Sequence, residues 1–433
     1  MSLLSGDEGP STSKTFFINQ EELLMNQPYT QPVEEQAPKN GGLALLALAI
    51  SAFGIGTTEF VPVGLLASIA SDLNIGITLA GLIISGYAIG VAVGAPILTA
   101  LTNRMNRKTL LMALMVVFIG GNLVSALSTS FELLIVARFI TAFSHGVFFS
   151  IGATIAVQLV PPHKKASAIA LMFTGLTVAT VTGVPLGTVI GQAFGWRATF
   201  FAVAALGVIS IIAIVFLIPK DLKQSPPAKF SDMKKLLTNG RLLLGFLITA
   251  LGYGGTFVAF TYLTPIMQDV TNISPSMISV VLLVYGIAVA IGNAVGGKLA
   301  NENPAKALFY MFIVHAAVMV LMSFMIPFKV AGLIAIVLMG LLAFMNVPGL
   351  QLYIVQLAEK YVPAAVDVAS ALNIAAFNVG IALGATIGGI VADSIGLVHT
   401  PWVGGIMVII AVILTAISRR LEANEGGAYV QQS

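Results

Sequence analysis

The sequence predicts an all-α polytopic membrane protein, with twelve transmembrane helices in two pseudo-symmetric six-helix bundles around a central cavity. Three observations predict it. Hydrophobic residues make up 57% of the chain and charged residues 9%, whereas a water-exposed surface carries about 25% charged residues. Twelve apolar runs each reach the ~20 residues that a spanning helix needs. The second six runs repeat features of the first six.

Residues 1–41 are rich in Glu, Gln, Ser, Pro and Asn and carry no apolar stripe. That composition predicts a disordered cytoplasmic tail. The first apolar run is too long for a signal peptide, and no basic region abuts it. Spans are expected near residues 43–70, 77–101, 109–129, 132–158, 166–191 and 198–218. Six more are expected near 242–268, 276–299, 307–327, 330–357, 366–392 and 400–418. These define an N-terminal bundle over 42–219, a linker over 220–240, a C-terminal bundle over 241–420 and a cytoplasmic tail over 421–433. The linker carries Lys220, Lys223, Lys229, Lys234 and Lys235 and room for a short amphipathic helix around Met233–Leu237.

Basic residues set the orientation. Alternate loops hold Arg104, Arg107 and Lys108, then Lys164 and Lys165, the linker cluster, Lys298 and Lys306, Lys360, and finally Arg419 and Arg420. The opposite loops hold only Arg197 and Lys329. Both termini are therefore expected in the cytoplasm, and the chain in the cytoplasmic membrane.

A shift of about 198 residues lays Tyr87, Gly94, Leu101, Asn103 and Lys108 over Tyr285, Gly292, Leu299, Asn301 and Lys306. A shift of about 197 lays Gly183, Gly187, Gly191 and Asp72 over Gly380, Gly384, Gly388 and Asp269. Two distant segments agreeing on nearly one offset point to an internal duplication. Duplicated halves joined by a basic linker make a transporter architecture with parallel repeats and a site near the midplane.

Other classes lose support. The chain has no cysteine, so disulfides, thiolate nucleophiles and Cys-ligated metals are excluded. Its four His are far apart in sequence, with no metal-ligand spacing. It has no phosphate-binding loop and no HExxH motif, which argues against an ATP-driven pump or a membrane enzyme. A net charge of +3 is too small to imply nucleic-acid binding. No cofactor is expected. The expected partners are protons, a small-molecule substrate and the lipid bilayer, with the chain acting as a monomer.

Glu59 is the acidic residue set deepest in an apolar run, where a charge costs at least about 2.5–3.5 kcal/mol. It lies roughly 16 Å from the outer end of span one at 1.5 Å per residue. Arg138 and His145 share one face of span four, at roughly 9 Å and 20 Å from its outer end. Glu59 falls between them in depth.

Four stretches carry a family resemblance: "GTTEFVPVGLL", "LTNRMNRKTLL", "LLIVARFITAFSHGVFFS" and "GLTVATVTGVPLGTVIGQAFGWR". Over residues 42–420 the chain resembles the major facilitator superfamily. Within it, the chain looks like the twelve-span drug:proton antiporters, including bacterial arabinose and sugar efflux permeases and chloramphenicol-type exporters. The resemblance implies that spans one and four line the central cavity. A Glu59–Arg138 interaction, direct or through water or substrate, is then expected. Moving the arginine relative to the carboxylate changes its proton affinity, which is the chemistry of proton coupling. The alternative is a static ion pair joining two spans. Two departures stand out: the loop motif has Asn103 where the family has an acidic residue, and the fifth-span motif reads "GVPLG".

The remaining candidates keep two readings each. His145 suits a proton relay or a hydrogen-bonded packing position. Arg104, Arg107 and Lys108 suit gating contacts to Asp367 at span eleven or orientation alone, and Asn103 sits beside them. Gly183, Gly187 and Gly191 with Pro185, and Gly380, Gly384 and Gly388, suit a symmetric interface between spans five and eleven or ordinary close packing. Thr58, Tyr253, Tyr262, Asn293, Asn346, Asn373 and Asn378 are candidate cavity groups. Glu59 and Arg138 have no charged counterpart in the second half. The leading functional expectation is a proton-driven exporter of drugs or sugars; a nutrient symporter or facilitator and a transporter-like sensor are the alternatives.

Overall fold

A computed structural model describes residues 41–224 and 230–430. The tail expected over 1–41 lies outside the described residues except for Gly41, which begins a helix. Among the described residues, twelve helices are long and apolar enough to cross a membrane. Spans one to six are Gly41–Leu66, Leu82–Thr102, Arg107–Leu127, Phe131–Gln158, Pro162–Phe194 and Trp196–Leu217. Spans seven to twelve are Gly240–Phe260, Met277–Leu299, Pro304–Met325, Lys329–Tyr361, Pro363–Ser394 and Leu397–Asn424. A helix over Phe230–Thr238 occupies the linker. The last helix continues to Val430, into the segment expected as a tail. Large apolar side chains such as Val93, Leu101, Phe216 and Phe324 stay exposed, forming a surface suited to lipid and not to water.

The duplication is visible in the packing. Span one packs on five and six, two on four, and three on four and six. Span seven packs on eleven and twelve, eight on ten, and nine on ten and twelve, which is the same scheme displaced by six spans. Between the halves, span two meets eleven and span five meets eight, while four meets eleven and five meets ten. Each of these pairs exchanges with another when the halves are swapped. Local signals repeat as well: Asn106 caps span three and Asn303 caps span nine, each side chain accepting from backbone N–H groups of the first turn.

Three spans are interrupted. Span five carries a π turn over Ala179–Gly183 just before Pro185. Proline has no N–H and crowds the carbonyl four residues back, and a π turn is one way to absorb both. Span ten, expected as one run, breaks at Phe344–Asn346 between Lys329–Ala343 and Val347–Tyr361. Span seven stops at Phe260, short of the expected 268, and the chain there turns into a short helix and a second π segment.

The glycine rows require a correction. They do not join span five to span eleven. A Cβ on Gly183, Gly187 or Gly191 would meet Thr57, Val61 or Leu65 of span one. A Cβ on Gly380, Gly384 or Gly388 would meet the backbone of Ala250, Gly254 or Val258 of span seven. Each row lets two helices of one half approach closely. Sequence shift reveals equivalent positions, but not which neighbour a smooth face will meet.

Candidate transport site

Glu59 sits in span one with 17% of its side chain exposed. Its carboxylate lies 3.8 Å from His145 Nδ1, beyond hydrogen-bond reach. Glu59 and Arg138 are expected to interact directly or through water or substrate; among the described residues they form no direct ion pair. Instead Arg138 Nη1 donates to the Thr58 carbonyl at 2.8 Å and to Thr58 Oγ1 at 3.2 Å, and the guanidinium lies 4.2 Å above the Tyr87 ring. Thr58 is the residue before Glu59, so the arginine grips span one through the backbone and not through the acid. Arg138 Nε and Nη2 are buried and meet no acceptor among the described residues.

Thr58 is itself fixed, donating to Asn122 Oδ1 of span three at 2.6 Å. His145 is buried; its Nδ1 is 3.1 Å from the Tyr87 hydroxyl and its ring packs 4.9 Å from Phe149. Both readings of His145 thus find a partner, one in the Tyr87 hydroxyl and one in the Phe149 ring. Tyr87 and Asn122 are site residues that the sequence does not single out: Tyr87 stands there only as a repeat position, and a mid-span Asn is its own signal of a buried partner.

In the second half, Tyr253 is buried at 6% exposure. Tyr253 centres an aromatic cluster with Phe257, Phe344 and Phe377 at centroid distances of 5.0, 5.6 and 4.9 Å. The other second-half candidates divide. Tyr262 donates to the Ala385 carbonyl, and Asn378 to the Ile374 carbonyl of its own helix. Asn346 is buried at the break in span ten with its Oδ1 unpartnered. Asn293 is not a cavity group: its Nδ2 donates across the halves to the Ala170 carbonyl at 2.7 Å. Asn373 is fully buried, bonded to Thr249 and Gln351. Composition marks polar side chains in spans but gives no sign of which face they occupy.

The halves are held together at the end rich in basic residues. Arg107 and Asp367 form a buried ion pair at 2.7 Å. Thr154 donates to Asp367 Oδ1 at 2.9 Å, and Ser150 to the Asp367 carbonyl at 2.8 Å. Ser167 and Asn301 exchange two hydrogen bonds, at 3.0 and 2.7 Å. Of the three basic residues expected here, only Arg107 meets Asp367. Arg104 is exposed, and Lys108 caps span six by donating to the Val215 and Ile218 carbonyls. Asn103 ends span two. The Asn106 cap makes Arg107 the first residue of span three, which fixes where its side chain starts. At the opposite end, Arg197 binds Asp72 at 2.5 Å and the Ser128 carbonyl at 2.8 Å within the first half. Arg197 beside Asp72 holds that carboxyl below the usual carboxylate range.

Several known proteins that resemble this chain are described as transporters. The chain is 60% identical over 389 residues to the uncharacterized MFS-type transporter YtbD of Bacillus subtilis, covering 90% of this chain and 98% of that one. It is 39% identical over 377 residues to the inner membrane transport protein YdhP of Escherichia coli, covering 87% and 96%. A crystal structure of the Escherichia coli fucose:proton symporter FucP superposes with a TM-score of 0.71 at 16% identity, covering 88% of this chain and 99% of that one; at that identity the likeness concerns the fold alone. The sequence model of the Major Facilitator Superfamily matches residues 48–366. The chain is a member of the major facilitator superfamily and a membrane transporter, not an enzyme.

Proposed function

We propose that the chain is a proton-coupled exporter of small molecules in the cytoplasmic membrane, working by alternating access with Glu59 as its coupling carboxylate. The basic end is the cytoplasmic end, in keeping with the distribution of Lys and Arg. With that orientation, the arrangement closed at Arg107–Asp367 is the outward-facing state.

The observation that carries this reading is the disposition of Glu59 and Arg138. A carboxylate in mid-span has a neighbouring guanidinium with two unspent donors, yet the two do not pair. A charged carboxylate would be drawn to those donors. A neutral, protonated one has far less reason to be, so the geometry suits the proton-loaded acid. Loss of the proton would draw Glu59 to Arg138, changing what both present to the cavity. Proton and cargo would then compete for one small region, which is the requirement for exchange transport. His145 and Tyr87 supply a hydrogen-bonded pair beside the acid along which a proton can be held.

The test is transport by purified protein in proteoliposomes under an imposed pH gradient, using compounds from a growth and efflux screen of drugs and sugars. Wild type is expected to move cargo against the proton flow. Glu59→Gln is expected to fold and bind but to lose acceleration by the gradient. Gradient-driven export by Glu59→Gln at the wild-type rate refutes the role of Glu59. Cargo moving with the protons refutes export and makes the protein a symporter.

A further inference from the structure

Polar side chains form one hydrogen-bonded line from the interior of the second half to the seam. Thr249 Oγ1 lies 3.1 Å from the Gly245 carbonyl of its own helix and closer, at 2.7 Å, to Asn373 Oδ1, to which it donates; Asn373 Nδ2 donates to Gln351 Oε1 at 2.8 Å. Gln351 Nε2 donates to Ser370 Oγ at 2.6 Å, and Ser370 Oγ donates to the Ser150 carbonyl of the first half at 2.8 Å. All of these side chains are fully buried. Every donor points the same way, so the links reinforce one another, and a buried group left without its partner is costly.

Both ends of the line reach something that moves in alternating access. At the seam, Ser150 returns a bond to the Asp367 carbonyl, and Asp367 is the acid held by Arg107 and Thr154. At the inner end, Thr249 and Asn373 lie one helical turn from Tyr253 and Phe377, which pack against each other. Tyr253 also packs on Phe344, where span ten breaks. Gln351 stands on the segment after that break. A ligand that shifts the aromatic cluster therefore pulls on the helix that carries Gln351.

The amide at 351 has a task that few side chains perform. A serine in a helix commonly turns its hydroxyl back to the carbonyl of its own preceding turn. Ser51 and Thr141 do so in this chain. Ser370 does not; its hydroxyl accepts from Gln351, which leaves its single proton for Ser150. Gln351 in turn needs a donor and an acceptor on one group, which Met, Leu or an ionised Glu lacks.

We propose that Gln351 is a positioning residue that couples cargo at the aromatic cluster to closure of the seam, by directing the Ser370 hydroxyl across the halves. The proposal rests on the alternating-access reading above. It is tested in the full chain in proteoliposomes. The absence of native cysteine makes an introduced one a unique reporter. Ala170→Cys reports the seam, since Ala170 is 3% exposed and lies against Gly297 of the other half; Val157→Cys, 5% exposed and lining one cavity with Val355 and Val366 of the other half, is a second reporter should the first disturb packing. Ala52→Cys, inside the first half and 0% exposed, reports general loosening. The probe is N-ethylmaleimide.

Gln351→Met is expected to raise the labelling rate at the seam about fivefold, the shift produced by losing one hydrogen bond of about 1 kcal/mol, with no rise at Ala52→Cys. Ser370→Ala is expected to match it, and the double variant to add nothing further. Unchanged seam labelling in Gln351→Met, an equal rise at both reporters, or additive effects would each overturn the proposal. Asp367→Asn separates the underlying reading from the proposal, because it should open the seam whatever Gln351 does. If Asp367→Asn leaves seam labelling unchanged, alternating access through this seam fails and the proposal falls with it.

Discussion

Arg138 makes three different uses of one guanidinium: two hydrogen bonds to Thr58, a ring contact with Tyr87, and two buried donors left over beside Glu59. A lysine ammonium is a compact point charge and cannot span all three. Arg138→Lys is therefore expected to keep the protein in the membrane and to abolish gradient-driven export, checked by efflux assay alongside a thermal melt. Asp72 gives a residue-scale prediction of opposite character. Its carboxyl is held below the usual range chiefly by the hydrogen bond from Arg197. A depressed folded pKa means the pair stabilises fully above the usual carboxylate range, and the contribution is lost only as pH falls through the lowered value. The pair is half-exposed, so solvent screening limits it to about 1 kcal/mol or less. Trp196 Nε1 donates to the same carboxylate and makes the event visible. In a Trp402→Phe background, Trp196 fluorescence should stay flat from neutral pH through the ordinary carboxylate range and change only below it. Asp72→Asn should remove that change.

At the scale of elements, the helix contacts differ in how much they can yield. A Cβ on Gly380 would fall 2.4 Å from the Ala250 carbonyl, on an opposing backbone with no side chain to move aside. A Cβ on Gly152 would meet the thioether of Met172 at 2.8 Å, and that side chain is flexible. Gly380→Ala is thus expected to cost about 1–3 kcal/mol, the range for overpacking, and Gly152→Ala well under that. Thermal unfolding of the two variants in detergent checks the order. The same elements mark what the sequence discloses. Hydropathy placed all twelve spans and the repeat offset equated Gly183 with Gly380, because both signals are local or periodic. The partner of each glycine row was not legible, since any smooth face serves any close neighbour. The break in span ten hid inside an apolar run, where Phe344 and Met345 read as continuous helix and only Pro348 hinted otherwise. Glu59 and Arg138 stand out in the sequence because a charge in lipid demands a reason, whereas for Arg107 a contact to Asp367 and a role in orientation alone are equally open there. Gln351 was missed because a neutral amide makes no such demand.

At the scale of the whole molecule, the two halves meet through pairs of spans that exchange under the internal repeat, yet the bonds at those pairs are unequal. One side of the seam carries the Arg107–Asp367 ion pair, and the other the neutral Ser167–Asn301 contact. Breaking a buried ion pair by removing one partner is costly, whereas each of the two hydrogen bonds of the neutral contact contributes only about 0.5–1.5 kcal/mol. The neutral side is thus the place to clamp the seam without touching its charges. Ser167→Cys/Asn301→Cys places two thiols at positions whose side chains now touch across the seam, in a chain with no other cysteine. Oxidation is expected to join them, seen as altered gel mobility after a cut in the linker. The joined protein should stop transporting, and reductant should restore it. If the halves rock, the clamp stops them at one end while the far end stays free to bind. Cargo binding should then survive in the oxidised protein even as turnover ceases. Full transport by quantitatively joined protein would mean that the seam never opens, and that cargo crosses by some path other than between the halves.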